Sequence, residues 1–343
     1  MLKKLVAVIF GALLLAATII ISSSYGYRLG QKGFVLHVHP VHRNFNFITR
    51  LPNGLIFNGS VDNRIDKIVL EQGYYEREIV QTLHLVAKYL KARTPSPEVE
   101  ESMQRELVFL DVGASVGVYT LAMASEVDRI IAVEPYPPLL EKLYNHIKIN
   151  DLNNVEVLEV GFGNKKEMHK FWIPPDTRPG SGTFAMDRYE FPARLKRKKS
   201  ETRKQTLKLP VERGDDLLSD VKVDMIKLDA GGYERYVLQG LQDTLNRSRS
   251  VMVIELNRNA DGGFTSEKEL RELLPPDYSI FTYNYRVRPG RECVTPLARR
   301  WAQSQHLLVI PNELSDLIDR LVDPDCLSML NRFFRFGGKE NGH

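Results

Sequence analysis

Cysteine is nearly absent from this 343-residue chain: only Cys293 and Cys326 occur. They can form one disulfide or remain two thiols, and the sequence leaves both open. A surplus of one charge is missing too, since 47 Lys and Arg stand against 43 Asp and Glu, for a net charge of +4. So mild a balance carries no argument for nucleic acid, and no nucleic-acid partner is expected. Metal-ligand clusters are sparse. His37, His39 and His42 form an H-x-H-x-x-H group, but no carboxylate or cysteine lies near enough in sequence to complete a site, so no metal is expected. The length is ample for a core, as one large domain or two small ones.

What is present starts with Leu107-Val108-Phe109-Leu110-Asp111-Val112-Gly113-Ala114-Ser115-Val116-Gly117. Four apolar residues closed by an acid and a glycine run predict a buried central strand ending in a tight turn. Gly113 and Gly117 let the backbone turn sharply and let a ligand approach the N–H groups of the loop. Val118 to Ala124 then begins a helix. This loop does not read G-x-G-x-x-G, and no lysine with Ser or Thr follows its last glycine, so neither the dinucleotide loop nor the P-loop applies. Asp111 in place of the first glycine suits a ligand end with positive charge, such as the amino group of S-adenosylmethionine (SAM). The bland alternative is a plain strand–turn–helix of an α/β core.

A second buried strand, Arg129 to Glu134, also closes on an acid. An acid about 20 residues after the first turn, at the tip of the neighbouring strand, can accept hydrogen bonds from ribose hydroxyls. Pro135 and Pro137 stop that strand and open a helix over 138–149. Further strands are expected at Val155–Val160, Met168–Ile173, Val223–Asp229 and Ser250–Glu255, with a helix running from the turn at 230–234 through Leu241. Tyr278–Tyr283 and His306–Ile310 supply later strands, with a terminal antiparallel pair around 284–305. Ligands of open α/β sheets bind outside the carboxyl ends of the strands. Asp111, Glu134, Asp229 and Glu255 all belong to that edge. A SAM-dependent methyltransferase is the leading reading.

The flanking segments differ in character. Lys3 and Lys4 precede an apolar or small run from Leu5 to Ile21, then three serines. Its length reaches the lower limit of a membrane span, and the A-x-A cleavage pattern is missing, so residues 1–24 are expected to be a type II signal anchor rather than a cleaved signal peptide. The domain would then face the endoplasmic reticulum or Golgi lumen, or be secreted if the segment is cleaved. The sequons Asn58-Gly59-Ser60 and Asn246-Arg247-Ser248 agree with that side of the membrane. Residues 25–104 are expected to form a stem and a β/helical lead-in, with Ile79, Leu83, Val86 and Leu90 on one helix face. The main domain would span 105–311, with a polar insertion near 174–205 that is basic between Arg194 and Lys204. That cluster is a solvated surface, or else it meets an anionic substrate, a membrane headgroup or an acidic glycan. A helical tail over 312–343 closes the chain.

Several blocks in order resemble the FkbM family of methyltransferases over roughly residues 55–311. They are Gly73-Tyr74-Tyr75-Glu76, the F-L-D-V-G-A-S-V-G-V-Y-T run from Phe109 to Thr120, Ala132-Val133-Glu134-Pro135, the Gly/Ser-rich Pro179–Thr183, and Asp224-Met225-Ile226-Lys227-Leu228-Asp229. The resemblance implies a Rossmann-like class I methyltransferase fold, α/β, with a mostly parallel seven-stranded sheet, helices on both faces and a terminal antiparallel strand pair. It further implies SAM as cofactor and O-methylation of a hydroxyl on a glycan or small metabolite. Asp111, Gly113, Ala114, Ser115, Gly117 and Glu134 are the expected cofactor-binding residues.

Methyl transfer from a sulfonium needs mainly in-line positioning, helped by a group that takes the acceptor's proton. Asp229 is the first candidate for that base or for an acceptor clamp, with Glu234 and Glu255 behind it. Cofactor binding or helix capping is the competing role for Asp229. One position departs from the family's D-x-E-G-x-E turn: Gly231 stands where its central acid is usual. A catalytically silent SAM-fold module that binds glycan or protein partners is therefore the second hypothesis.

Overall fold

The computed structural model describes residues 45–93, 105–173, 182–185, 205–257, 262–284, 293–296 and 306–321. The run from Leu5 to Ile21, the three histidines, the basic stretch 194–204, Cys326 and most of the expected tail lie outside them. Among the described residues no helix is long and apolar enough to cross a membrane.

Two compact units divide between Tyr75 and Glu76. In the first, β1 (Asn46–Arg50) and β2 (Ile56–Ser60) form an antiparallel hairpin, followed by the helix Arg64–Gln72. Phe47 and Phe57 are buried from the two strands, and Asn63 caps the helix by accepting from Ile65 and Asp66 N–H.

The second unit begins with the helix Arg77–Arg93, which buries Ile79, Leu83 and Val86 at helical spacing. Among the described residues eleven further strands follow: β3 (Val108–Val112), β4 (Arg129–Val133), β5 (Val155–Leu158), β6 (Gly161–Phe162), β7 (Glu167–Ile173), β8 (Gln205–Glu212), β9 (Met225–Leu228), β10 (Val251–Glu255), β11 (Tyr278–Asn284), β12 (Cys293–Pro296) and β13 (His306–Pro311). The main sheet runs β12-β11-β13-β10-β9-β3-β4-β5. From β5 to β10 the neighbours are parallel, while β13 is antiparallel to both β10 and β11. The expected antiparallel pair is thus β11 with β13. The short β12 adds an eighth strand to the seven expected.

Each central strand reads as an apolar run because both faces are covered. Leu110, Val112, Ile226, Leu228, Met252 and Ile254 share a core with Val237, Leu238, Leu241 and Leu245 of the helices Glu234–Gln239 and Gln242–Ser248. Ala132 points the other way, against Leu143 of the helix Pro137–Ile149. Alternation along the strands therefore places helices on both faces.

Two expectations are corrected. β5 stops at Leu158 instead of Val160, and Gly161 starts β6 in a separate sheet. The expected single helix through Leu241 is two, broken at Gly240, whose N–H meets carbonyls of the preceding turn. β8, which starts at Gln205 where the expected insertion ends, was not anticipated as a strand; it pairs with β6 and β7 in a three-stranded sheet. Of the two sequons, Asn246 lies in a helix, and the Ser248 hydroxyl is buried and accepts from Val223 N–H.

Candidate active site

The chain leaves β3 for β4 and β5 on one side and returns to β9 on the other. The crevice between the carboxyl ends of β3 and β9 is thus the topological switch point, where open α/β sheets bind ligands. Gly113 and Asp229 meet there. Gly113 has φ +84°, and a Cβ on it would lie 1.8 Å from the Asp229 carbonyl oxygen. Glycine is required by this approach of backbone to backbone.

The loop after β3 is tied inward. Gly113 and Ala114 N–H both donate to the Val133 carbonyl, at 2.9 and 3.0 Å, and Ser115 N–H donates to Glu134 Oε2 at 2.9 Å. Those amides were expected to face a ligand; instead they bind the loop to the end of β4. Gly117, at φ +87°, starts the helix Val118–Met123. Glu134 also accepts from Tyr136 N–H at 2.9 Å. Burial drives its pKa up to about 7, against the pull of these two N–H groups. Asp111 is fully buried, and its Oδ2 accepts from the Thr120 hydroxyl at 2.7 Å. Burial raises it to about 6. Asp111 Oδ1 and Ser115 Oγ have no partner among the described residues. Sequence reading put these residues together, and the structure does the same.

The second set sits at the ends of β9 and β10. Asp229 directly follows β9, Glu255 ends β10, and Glu234 opens the next helix. One carboxylate oxygen of each lies within 4.8 Å of the others. Asn257 Nδ2 donates to Glu255 Oε2 at 2.9 Å and to Glu234 Oε1 at 3.2 Å. Ala230 and Gly232 N–H add to Glu234 Oε1, while Oε2 is buried without a partner among the described residues.

Register gathers more charge here than the acids alone. Asp111 lies opposite Lys227, and Glu255 opposite His306. Lys227 is fully buried, 3.4 Å from Asp229 Oδ2 and 4.9 Å from the centre of the Tyr119 ring. Tyr119 donates its hydroxyl to Glu76, which also meets His306 Nε2 at 3.1 Å. Lys227, Glu76, Tyr119, His306 and Asn257 were not anticipated as site residues. The available signals were a lysine inside the apolar run M-I-K-L and the places of Glu76 and Tyr119 within two of the family-like blocks.

Electrostatics sort the acids. For Asp229, burial is outweighed by the Lys227 charge and a hydrogen bond with Glu255, which hold it at about 2. Burial and the Asp229 charge push Glu255 up to about 10, so the pair holds one proton near neutrality. Glu234 is raised to about 7, by burial first. Glu76 is lowered: its hydrogen bond to His306, with the charges of His306 and Lys227, outweighs burial.

A raised acid binds its proton more readily folded than unfolded, so its stabilising contribution is complete below the unfolded pKa and is lost as pH rises through the folded one. For Glu234 that window runs from about 4.5 to about 7. The melting temperature is therefore expected to fall between pH 5 and 8. Glu234→Gln keeps the acceptor oxygen and should flatten that fall, by on the order of 3 kcal/mol at pH 8. Melting curves of the two proteins across this range check it; parallel curves would refute the assignment.

Residues 111–287 match the sequence profile of the methyltransferase FkbM domain. The chain belongs to this family. An FkbM methyltransferase from Methylobacillus flagellatus KT is similar in structure at 18% identity, covering 69% of this chain and 56% of that one, with a TM-score of 0.36. This FkbM chain thus spans just over half of that protein's length. A precorrin-6y C5,15-methyltransferase from Geobacter metallireducens GS-15 follows at 13% identity, 69% and 87% coverage and TM-score 0.32. An rRNA methylase from Streptococcus thermophilus stands at 13%, 68% and 95%, and 0.35. No curated protein matches the chain.

Proposed function

We propose that this FkbM-family methyltransferase uses SAM and methylates a hydroxyl on a glycan or small metabolite. The observation that carries this reading is the acid cluster at the carboxyl ends of β9 and β10, beside the glycine loop at the switch point. When bound, SAM supplies a methyl group already activated on a sulfonium. The residues present fit it: the buried Asp111 Oδ1 of β3 and Ser115 Oγ of the following loop have no partner among the described residues, and Glu134 retains lone pairs beyond the two N–H bonds it accepts. In this reading Asp111 and the 113–117 loop hold the cofactor's charged end, and Glu134 takes its ribose hydroxyls.

The Asp229 side chain is 29% exposed where Glu234 is fully buried, and Asp229 is ionised at any physiological pH. It orients the acceptor hydroxyl. Its pKa of about 2 makes it a poor proton acceptor, whereas Glu234, at about 7, is matched to holding a proton at neutral pH. Glu255, protonated, keeps the second carboxylate from repelling the first. Gly231 brings no carboxylate, and Glu234 makes one there unnecessary for proton uptake.

Incubation with isotopically labelled SAM, read by mass spectrometry of glycan and metabolite acceptors, tests this. Glu234→Gln should slow methyl transfer by about 10²–10⁴-fold with SAM affinity unchanged. Binding of SAM with no transfer to any acceptor would support the silent module, whose best sequence feature is Gly231. Failure to bind SAM would overturn both. We also propose that residues 5–21 anchor the protein in the membrane with the domain on the lumenal side, on the strength of the basic start and apolar run; protease protection in microsomes reports on it.

A further inference from the structure

A groove of about 600 Å³ runs along β7, at the edge of the three-stranded sheet. Aromatic side chains line it. Phe184 and Tyr233 are buried in its floor, and His169 and Tyr236 stand half-buried at its sides. The rings pack in series, with centroids 5.8 Å apart for His169–Phe184, 5.5 Å for Phe184–Tyr233 and 4.7 Å for Tyr233–Tyr236. Tilted contacts of this kind hold each ring in place, so the groove is formed in advance of any ligand.

Its rim is basic. Lys165 is neutralised by Glu167 at 3.0 Å. Lys170 and Lys208 are not: they stand directly opposite each other in the β7–β8 register, both exposed, with no carboxylate paired to either among the described residues. Like charges facing each other across an antiparallel pair destabilise a sheet. An anion lying across the two ammonium groups relieves that repulsion.

One turn connects this groove to the reaction edge. Thr183, next to Phe184, donates its hydroxyl to the Gly231 carbonyl at 2.6 Å. Tyr233 enters the groove and its neighbour Glu234 enters the acid cluster. A molecule in the groove thus touches Tyr233, the chain neighbour of the proton acceptor Glu234.

We propose that the groove binds the part of the acceptor away from the methylated hydroxyl, and that this part is an acidic oligosaccharide. Sugar rings lie against His169 and Tyr236, and acid groups sit on Lys170 and Lys208. The inference rests on the reading of the chain as a hydroxyl methyltransferase. Single-stranded nucleic acid would use the same lysines but needs exposed ring faces on which bases stack. Tyr233 and Phe184, 4% and 7% exposed, do not offer them, which leaves only the half-buried His169 and Tyr236 rather than a run of open rings.

Fluorescence anisotropy on the full chain tests this with end-labelled hexagalacturonate and a heparin-derived hexasaccharide. Maltohexaose and hexauridylate serve as the neutral and nucleic-acid counterparts. An acidic sugar should bind more tightly than either, and Lys170→Ala/Lys208→Ala should weaken it about tenfold or more, whereas Lys170→Arg/Lys208→Arg stays within about threefold. Equal binding of maltohexaose, tighter binding of hexauridylate, or an unchanged alanine variant would overturn the proposal. SAM titrations of the same proteins keep the two readings apart. Loss of SAM binding in the wild type sinks the methyltransferase reading, and the sugar titrations alone decide the groove.

Discussion

Gly113→Ala is expected to cost about 2–5 kcal/mol of folding stability, from a left-handed backbone (about 1–2 kcal/mol) and forced overpacking (about 1–3 kcal/mol). The methyl group would fall 1.8 Å from the Asp229 carbonyl oxygen, inside any contact distance. Relief requires β3 and β9 to part, and Asp229 N–H donates to the Val112 carbonyl at 3.0 Å between them. The acid cluster would shift with Asp229. Gly54 supplies the control: its φ is +89°, but nothing lies within 4 Å of its added Cβ. Gly54→Ala therefore bears the backbone strain without the clash and should lose less. Urea denaturation of both variants separates the two contributions. Equal losses would show that the approach of the two strands matters little.

The second large effect belongs to Lys227. Lys227→Met keeps the volume and removes the buried cation, leaving Asp229 without its charge partner and Glu76 with His306 alone. Breaking a buried pair by removing one member costs about 3–5 kcal/mol. Asp229, held at about 2 by Lys227, contributes stability that is present above its unfolded pKa of 3.8 and lost as pH falls through the folded value. Without Lys227 its pKa rises, so the penalty should be largest at pH 8 and shrink toward pH 4. Urea midpoints at the two pH values test this. A loss under about 1 kcal/mol, or one independent of pH, would mean that the carboxylates repel less than their burial implies.

Both residues show where sequence reasoning reaches and where it stops. β3, β4, β9 and β10 were legible because strands covered on both faces read as nearly continuous apolar runs, and such runs stand out between loops. Their order in the sheet, β10-β9-β3-β4, came from the structure. β8 was not legible. Its Q-T-L-K-L-P-V-E sequence mixes apolar residues with Lys208 and Pro210 after a basic stretch, and its partner β7 lies some thirty residues earlier.

The acids of the site could be read from the chain because each closes an apolar strand, and topology then puts strand ends on one edge. Asp229, Glu234 and Glu255 are together for that reason. Which of them can hold a proton at neutral pH depends on distances to Lys227 and on depth of burial, and neither is a property of local sequence. His306 reaches the cluster through its register with Glu255, and Glu76 and Tyr119 reach it through helix packing. Sequence by itself determined the family, the strands that build the edge and the identity of its carboxylates. Only the tertiary structure decided their charge states, the partners of Lys227 and the reason for Gly113, because those depend on groups far apart in the chain meeting in a place from which water is excluded.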